Sequence, residues 1–321
     1  MKLARKAFFL TLISGLLQAA PVQDSDKQER SVIRAQVEMV NILATVRDRN
    51  GRYVADLKKE DFRILENDVP QEIQYFSYEA GEDAQPLTVV LLIDTSGSVK
   101  DKLEFERLAA SEFFRQTLRL NKDLAAIVQF DSEVNLVQDF TFDMARLEKS
   151  LNGIRPGGAT ILYDAVYIAA DELLSKQFGR RVMVVLSDGK DTMSVTSKQD
   201  AIRKAQEEDV LIFGIGIRSP GFGADFGALK DFARSTGGGF FRSKVDLAKI
   251  RAAFAQINGE IKNQYSLAYV SSNGRRDGLY RSLEVKLKKR GLRISHRKGY
   301  YAPRPPTQTG SGQGGEPAKG R

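Results

Sequence analysis

Oxygen donors collect at three places in this chain. Asp94, Ser96 and Ser98 lie in DTSGS, Thr160 in RPGGATILYDAV, and Asp188 in VMVVLSDGKDT. Two carboxylates and three hydroxyls, with no His or Cys among them, make a hard donor set. Such a set suits Mg2+ or Mn2+, Ca2+ less well, and zinc or copper poorly. Ser96 and Ser98 are two residues apart, so both hydroxyls can turn to one side. Gly97, Gly157 and Gly158 permit close backbone approach. With two acidic side chains nearby, a bound ion stays electrophilic and accepts an anionic oxygen from outside the chain.

These residues need a scaffold that brings distant loops to one point. LTVVLLI, LAAIVQF, VMVVLS and VLIFGIGI are continuous apolar runs, as strands buried on both faces require. Between them, Leu162, Val166, Ala169, Ala170 and Leu173 recur at helical spacing, as do Leu247, Ile250, Phe254, Ile257 and Ile261. FDSEVNLVQDF adds a short antiparallel edge, 127–130 with 134–140. The alternation over 87–262 predicts an α/β domain: a doubly wound, mostly parallel sheet with helices on both faces. Ligands of such sheets bind beyond the carboxyl ends of the strands. Asp94 and Asp188 each end a strand, and Thr160 stands at the mouth of a helix.

The flanks read differently. Residues 31–80 and 263–301 are short strand candidates punctuated by Asn50-Gly51, Asn67-Asp68, Asn273-Gly274 and Asp277-Gly278. Neither segment is long enough for a good core of its own. The two are expected to pair into one small β-sandwich, with the α/β domain inserted between them and EAGEDAQP as a linker. Residues 21–30 read as a flexible segment and 302–321 as a disordered tail.

DTSGS, GGAT and SDG, in that order on an alternating scaffold, resemble the von Willebrand factor A domain over residues 87–262. The resemblance implies a metal-ion-dependent adhesion site at Asp94, Ser96, Ser98, Thr160 and Asp188. Ser96 and Ser98 would then bind the metal directly, Asp94 and Asp188 directly or through water, and Thr160 according to conformation. A Glu or Asp carboxylate of a protein partner completes the shell. The wider layout, with KEDFRILENDVPQEI before the domain and RKGYY after it, is similar to bacterial secreted proteins related to that family.

Enzyme readings lack parts. A phosphatase with an aspartyl nucleophile needs a second carboxylate two residues after the first, where this chain has Ser96. The single histidine, His296, falls in phase with Leu292 and Ile294 in the C-terminal strands and reads as a half-buried sheet residue. FGIGIRSPGFG lacks dinucleotide-loop spacing, and no Walker A sequence is present. The first reading is therefore a non-enzymatic binding or adhesion protein. An envelope scaffold with a purely stabilising metal is the second, and a metal-dependent phosphoester hydrolase the third.

Composition sets the remaining bounds. The chain has 321 residues, 42% apolar and 28% charged, enough to bury a sizeable core. Residues 1–20 run from basic MKLARK through apolar AFFLTLISGLL to small residues, the order of a secretory signal. Export is expected, to the periplasm or beyond, with an uncleaved membrane anchor as the alternative. The absence of cysteine excludes disulfides, a cysteine-borne lipid and thiolate metal sites. The net charge of +8 is local: 275–298 holds ten Lys or Arg against Asp277 and Glu284. That stretch could touch an anionic surface, although Lys286 and Lys288 alternate with Val285 and Leu287 as a solvated face would. Nucleic acid is not expected as a partner. Asp191 reads as a solvent residue, and Phe240 and Phe241 as a core strand end.

Overall fold

The computed structural model describes residues 39–96, 102–218 and 223–305. Four strands come first: β1 (Met39–Arg47), β2 (Phe62–Glu66), β3 (Val69–Gln71) and β4 (Tyr75–Glu79). Asn67 and Asp68 join β2 to β3 with φ of 45° and 67°, the two positive values that a two-residue type I′ hairpin turn demands. The Asn50-Gly51 turn forms as well, but it closes only one isolated bridge, Arg47 to Tyr53, and no second strand follows it.

The alternating region supplies β5 (Leu87–Asp94), α1 (Leu103–Thr117), β6 (Leu124–Phe130), β7 (Val134–Thr141), α2 (Met144–Gly153) and α3 (Leu162–Ile168). It continues with β8 (Arg180–Ser187), α4 (Lys198–Glu207), β9 (Val210–Arg218), α5 (Gly227–Thr236), β10 (Phe240–Lys244) and α6 (Leu247–Lys262). The strands form one six-stranded sheet in the order β10-β9-β8-β5-β6-β7, parallel except where β7 runs antiparallel along β6 as its edge.

Alternate side chains of each strand enter different cores, which is why the sequence runs are apolar without interruption. Val89, Leu91 and Ile93 pack under α1, α2 and α6, while Val90 and Leu92 pack under α3, α4 and α5. Burying one such side chain contributes about 1.5–3 kcal/mol, so the two-sided sheet is a stiff platform. The stripe from Leu162 to Leu173 is helical throughout but not uniformly α. After Ile168 it widens into a π turn, Ala169–Leu173, and closes as a 3-10 turn, Leu174–Lys176.

The chain returns to strands with β11 (Gln264–Val270), β12 (Tyr280–Leu287), β13 (Arg293–His296) and β14 (Gly299–Tyr301). These interleave with the first four strands in two sheets, β13-β1-β11-β4 and β14-β12-β2-β3. Ile42, Ala44, Tyr265 and Tyr269 of one sheet meet Phe62, Ile64, Leu283 and Val285 of the other in a common core. The expected small sandwich thus forms from segments separated by the whole α/β insert. His296 is buried rather than half-buried, at 4% exposure. Its Nε2 accepts from the Val285 N–H at 3.2 Å and its Nδ1 lies 2.6 Å from the Arg297 carbonyl, a neutral ring used for structure.

Topology fixes where a ligand can approach. From β5 the chain crosses through α1 to β6 on one side. After β7, α2 and α3 it crosses back to β8 on the other side. Strand order therefore reverses at β5, and the crevice beyond its carboxyl end is the switch point.

Candidate functional site

β5 carries Asp94 to that crevice as its last residue. The register pairs Ile93 with Leu186 and Asp94 with Phe130, which sets Asp94 level with Ser187 and leaves Asp188 one residue further out. Ser187 Oγ donates to Asp94 Oδ2 at 2.6 Å, and the Ser96 N–H donates to Oδ1 at 3.0 Å. Asp94 is fully buried, and burial pushes its carboxyl above the usual aspartate range. The Ser187 and Ser96 hydrogen bonds and the Lys102 ammonium pull it partly back. Asp188 is 3% exposed; its Oδ1 accepts from the Lys190 N–H at 3.2 Å. The turn beyond it needs Gly189, whose φ is +85° and whose absent Cβ would lie 1.9 Å from the Asp225 carbonyl oxygen.

The Thr160 loop is laid across the ends of β5 and β6 by backbone bonds. Gly157 N–H donates to the Thr95 carbonyl at 2.6 Å, and Ile161 N–H to the Asp131 carbonyl at 3.0 Å. A Cβ on Gly157 would meet Asp131 Oδ2 at 1.9 Å, so the approach requires glycine. Asp131 in turn accepts from Thr95 Oγ1 at 3.0 Å. On the other side, Thr192 Oγ1 accepts from Thr160 N–H at 3.0 Å and donates to the Thr160 carbonyl at 3.1 Å, while Thr192 N–H donates to the same carbonyl at 2.9 Å. Three loops, after β5, before α3 and after β8, are therefore laced to one another by named bonds.

Asp191 corrects the solvent reading. Its Oδ1 accepts from Tyr163 N–H at 3.1 Å and from Ser194 Oγ at 2.5 Å, and Ser194 Oγ also accepts from Tyr163 and Asp164 N–H. The loop after β8 thus caps the helix that follows Thr160. The helix N–H donors lie 28 or more residues from these acceptors, beyond what local pattern reveals.

Asp94, Ser96, Thr160 and Asp188 stand on these adjoining loops, each no more than 5% exposed; Ser98 lies outside the described residues. The donors are all oxygen, so their chemistry fits a hard divalent cation. Among the described residues no group of three or more His, Cys, Asp or Glu could hold a metal, so an ion here relies on two carboxylates plus hydroxyls.

Two charged residues close behind the site escaped the motif reading. Lys102 and Glu106 are both fully buried, with Lys102 Nζ 3.9 Å from Glu106 Oε1. The signal was available, because 102, 106, 109, 110 and 113 fall on the core-facing stripe of α1. In the basic stretch, Arg281 and Arg297 are buried and structural. Arg281 lies 3.5 Å from Glu66, itself an acceptor for Tyr269 and Tyr300 hydroxyls, and Arg297 pairs with Asp209. Lys286, Lys288, Lys289, Arg290 and Arg293 face solvent.

Among solved structures the chain is similar to the conserved hypothetical protein BatB from Bacteroides thetaiotaomicron, at 17% identity and a TM-score of 0.46 over 55% of this chain and all of that one. It is similar to the vWF domain of the type V pili tip protein Mfa5 from Porphyromonas gingivalis, at 16% identity and 0.46 over 55% and 95%. It is also similar to a von Willebrand factor type A structure from Catenulispora acidiphila, at 12% identity and 0.49 over 85% and 76%. No curated protein matches. The family profile of the von Willebrand factor type A domain matches residues 88–256, from the first strand of the six-stranded sheet into its last helix, and the chain belongs to that family.

Proposed function

We propose that this chain is an exported binding protein that holds a Mg2+-type ion at Asp94, Ser96, Ser98, Thr160 and Asp188 and captures a carboxylate of a protein partner through it. Membership of the von Willebrand factor type A family makes the domain a non-catalytic, protein-interaction module. The carrying observation is the lacing of three loops at the switch point, with two buried carboxylates and no basic partner hydrogen-bonded to Asp94 among the described residues. A bound ion would supply Lewis acidity for an incoming carboxylate oxygen. The chain's own part is to hold hard donors in place and to keep their number of negative charges low. Among the described residues no helix is long and apolar enough to cross a membrane. Residues 1–20, which carry the export expectation, lie outside them.

A purely stabilising ion is the competing reading, and the deep burial of Asp94, Thr160 and Asp188 favours it. Two measurements separate the readings. Thermal unfolding in EDTA and then in millimolar Mg2+ or Mn2+ should show a rise of roughly 5 °C for an ion at a hundred times its Kd, absent in Asp188→Asn. A Glu-containing peptide should then bind wild type only with metal present. Thr160→Ala should lose the peptide while keeping most of the thermal rise. A flat thermal response in wild type sinks the metal site; peptide binding unchanged by metal and by Thr160→Ala leaves only the stabilising role.

A further inference from the structure

The fold gathers the positive charge of this chain differently from the basic run 275–298. Within that run Arg281 and Arg297 are buried and paired, and the loop carrying Arg275 and Arg276 lies before the start of β12. The far end of β12 meets a second basic segment, more than two hundred residues earlier in the chain. Lys288 N–H donates to the Asp61 carbonyl at 2.9 Å, and Lys289 pairs with the Asp61 carboxylate at 3.2 Å. A Cβ on Gly291 would lie 3.0 Å from Arg49 Nε, so the turn after β1 rests against the turn between β12 and β13. Residues 47–63 and 286–293 thereby share one end of the sandwich. Together they hold eleven Lys or Arg against four Asp or Glu, a surplus of seven in a chain whose net charge is +8.

The fold does not neutralise this surplus. The strand registers set Arg47 directly across from Arg293, and Arg63 across from Lys286. Like charges directly opposed in a sheet are destabilising. Glu260 and Glu284 answer only one member of each pair, Arg47 and Lys286. Arg49, Lys59, Arg63, Lys288, Arg290 and Arg293 are exposed, with no carboxylate in ion-pair reach among the described residues. A repulsive cluster kept at a cost in stability marks a surface with another requirement to meet.

The chemistry that meets it is a plane of negative charge. Both aromatic rings of these segments are engaged within the fold: Phe62 in the sandwich core, and Tyr53 beneath the Arg47 guanidinium, 4.6 Å from it. Neither is left as a platform for stacking a base or a sugar. Leu287 and Leu292 pack against the core, so they supply no apolar wedge. Long, flexible cations on two turns and a strand read charge density alone, which is what the headgroups of an anionic bilayer present. We propose that this end of the sandwich seats the chain on an anionic lipid surface, peripherally and without insertion. The surface is independent of the metal reading above, since none of its residues belongs to that site.

The test is cosedimentation of the full chain with phosphatidylcholine vesicles, alone and mixed with phosphatidylglycerol. Binding should require phosphatidylglycerol and should fade as salt rises from about 0.1 M to about 1 M, where screening shortens from about 10 Å to about 3 Å. Each Lys or Arg near such a surface strengthens binding about fivefold. Lys288→Glu with Arg290→Glu, and separately Arg49→Glu with Lys59→Glu, should each weaken it about 25-fold or more. Arg275→Glu with Arg276→Glu makes the same change of net charge before the opposite end of β12, and should weaken it less than about threefold. The first two pairs stand on different segments, so if one variant fails to fold the other still decides. Equal weakening by all three pairs would mean that net charge acts as a whole, and would overturn the surface. So would wild-type binding that ignores phosphatidylglycerol or salt. Loss with Lys288 and Arg290 but not with Arg49 and Lys59 would overturn the joint surface. Tight binding to heparin, with none to anionic vesicles, would overturn the lipid assignment in favour of an acidic polysaccharide.

Discussion

At the scale of single residues, the site depends on places where only one side chain fits. Gly189 is the sharpest. Any Cβ there meets the Asp225 carbonyl, and the positive φ adds strain of its own. Gly189→Ala should cost about 2 kcal/mol or more. Gly81→Ala, at φ +69° with open space around it, should cost only about 1 kcal/mol. Urea midpoints of the two variants test this, and equal shifts would show that Asp225 yields freely. Titration gives a second residue-scale test. Burial pushes the Glu106 carboxyl up to about 7, with Lys102 pulling it down and Asp94 pushing it further up. The folded state then binds this proton more tightly than the unfolded chain does. Its contribution should weaken stability as pH climbs from the ordinary glutamate range to about 7 and level off above. His296 works the other way. Burial lowers its pKa, so the stability of its neutral ring is present above the ordinary histidine value and lost as pH falls. The difference between wild type and Glu106→Gln isolates the first effect. In EDTA it should change steadily between about pH 4.5 and 7, and a pH-independent difference would refute the assignment.

At the scale of elements, the loops around the site stabilise one another. The β8 loop caps α3 through Asp191 and Ser194, and the Asp164 carboxylate on α3 accepts in return from Val195 and Thr196 N–H at 3.0 and 2.8 Å. Asp191→Ala should cost about 1 kcal/mol as a lost cap. It should also speed hydrogen exchange at Tyr163 and Asp164, and unchanged exchange there would show that Ser194 suffices. This reciprocal cap explains what the sequence could and could not reveal. The parallel strands were legible because burial on both faces leaves an unbroken apolar run such as Val89–Ile93, and the Asn67-Asp68 turn because two positive φ values demand such residues. The positions of Asp94 and Asp188 were legible because an apolar run ends at each, the first closing β5 and the second following β8. Asp191 was not, because its acceptor role is fixed by a helix 28 residues earlier. Lys102 and Glu106 were visible as charges on the core-facing stripe of α1, and the structure buries both.

At the scale of the whole molecule, the sandwich is fastened to the end of the sheet opposite the site. Leu87 and Arg180 begin β5 and β8, while Asp94 and Ser187 end them, about 23 Å away at ~3.3 Å per residue. A partner at the carboxyl ends therefore meets the α/β domain without the sandwich in its way. Two arginines tie the crossings. Arg119 donates to the carbonyls of Gly81, Ala84 and Gln85 at 3.0, 3.0 and 2.8 Å and pairs with Asp123 at 2.7 Å. Arg180 donates to the Ile261 carbonyl at 2.7 Å and to Gln264 Oε1 at 3.2 Å. The linker before β5 and the junction after α6 are thus both wrapped around guanidinium groups rooted in the α/β domain. Asp123 is 1% exposed and also accepts from the Leu87 N–H at 2.9 Å, so removing its cation strands a buried carboxylate at the start of the central strand. Arg119→Ala should therefore cost about 3 kcal/mol, more than a surface ion pair would. Because the lost bonds are those that couple the two parts, the cost should also appear as lost cooperativity. Calorimetry should resolve a sandwich transition apart from an α/β transition in the variant, and only the latter should respond to Mg2+. A single transition with matching calorimetric and van't Hoff enthalpies in Arg119→Ala would mean that Arg180 and the shared apolar contacts suffice to make the two parts unfold as one.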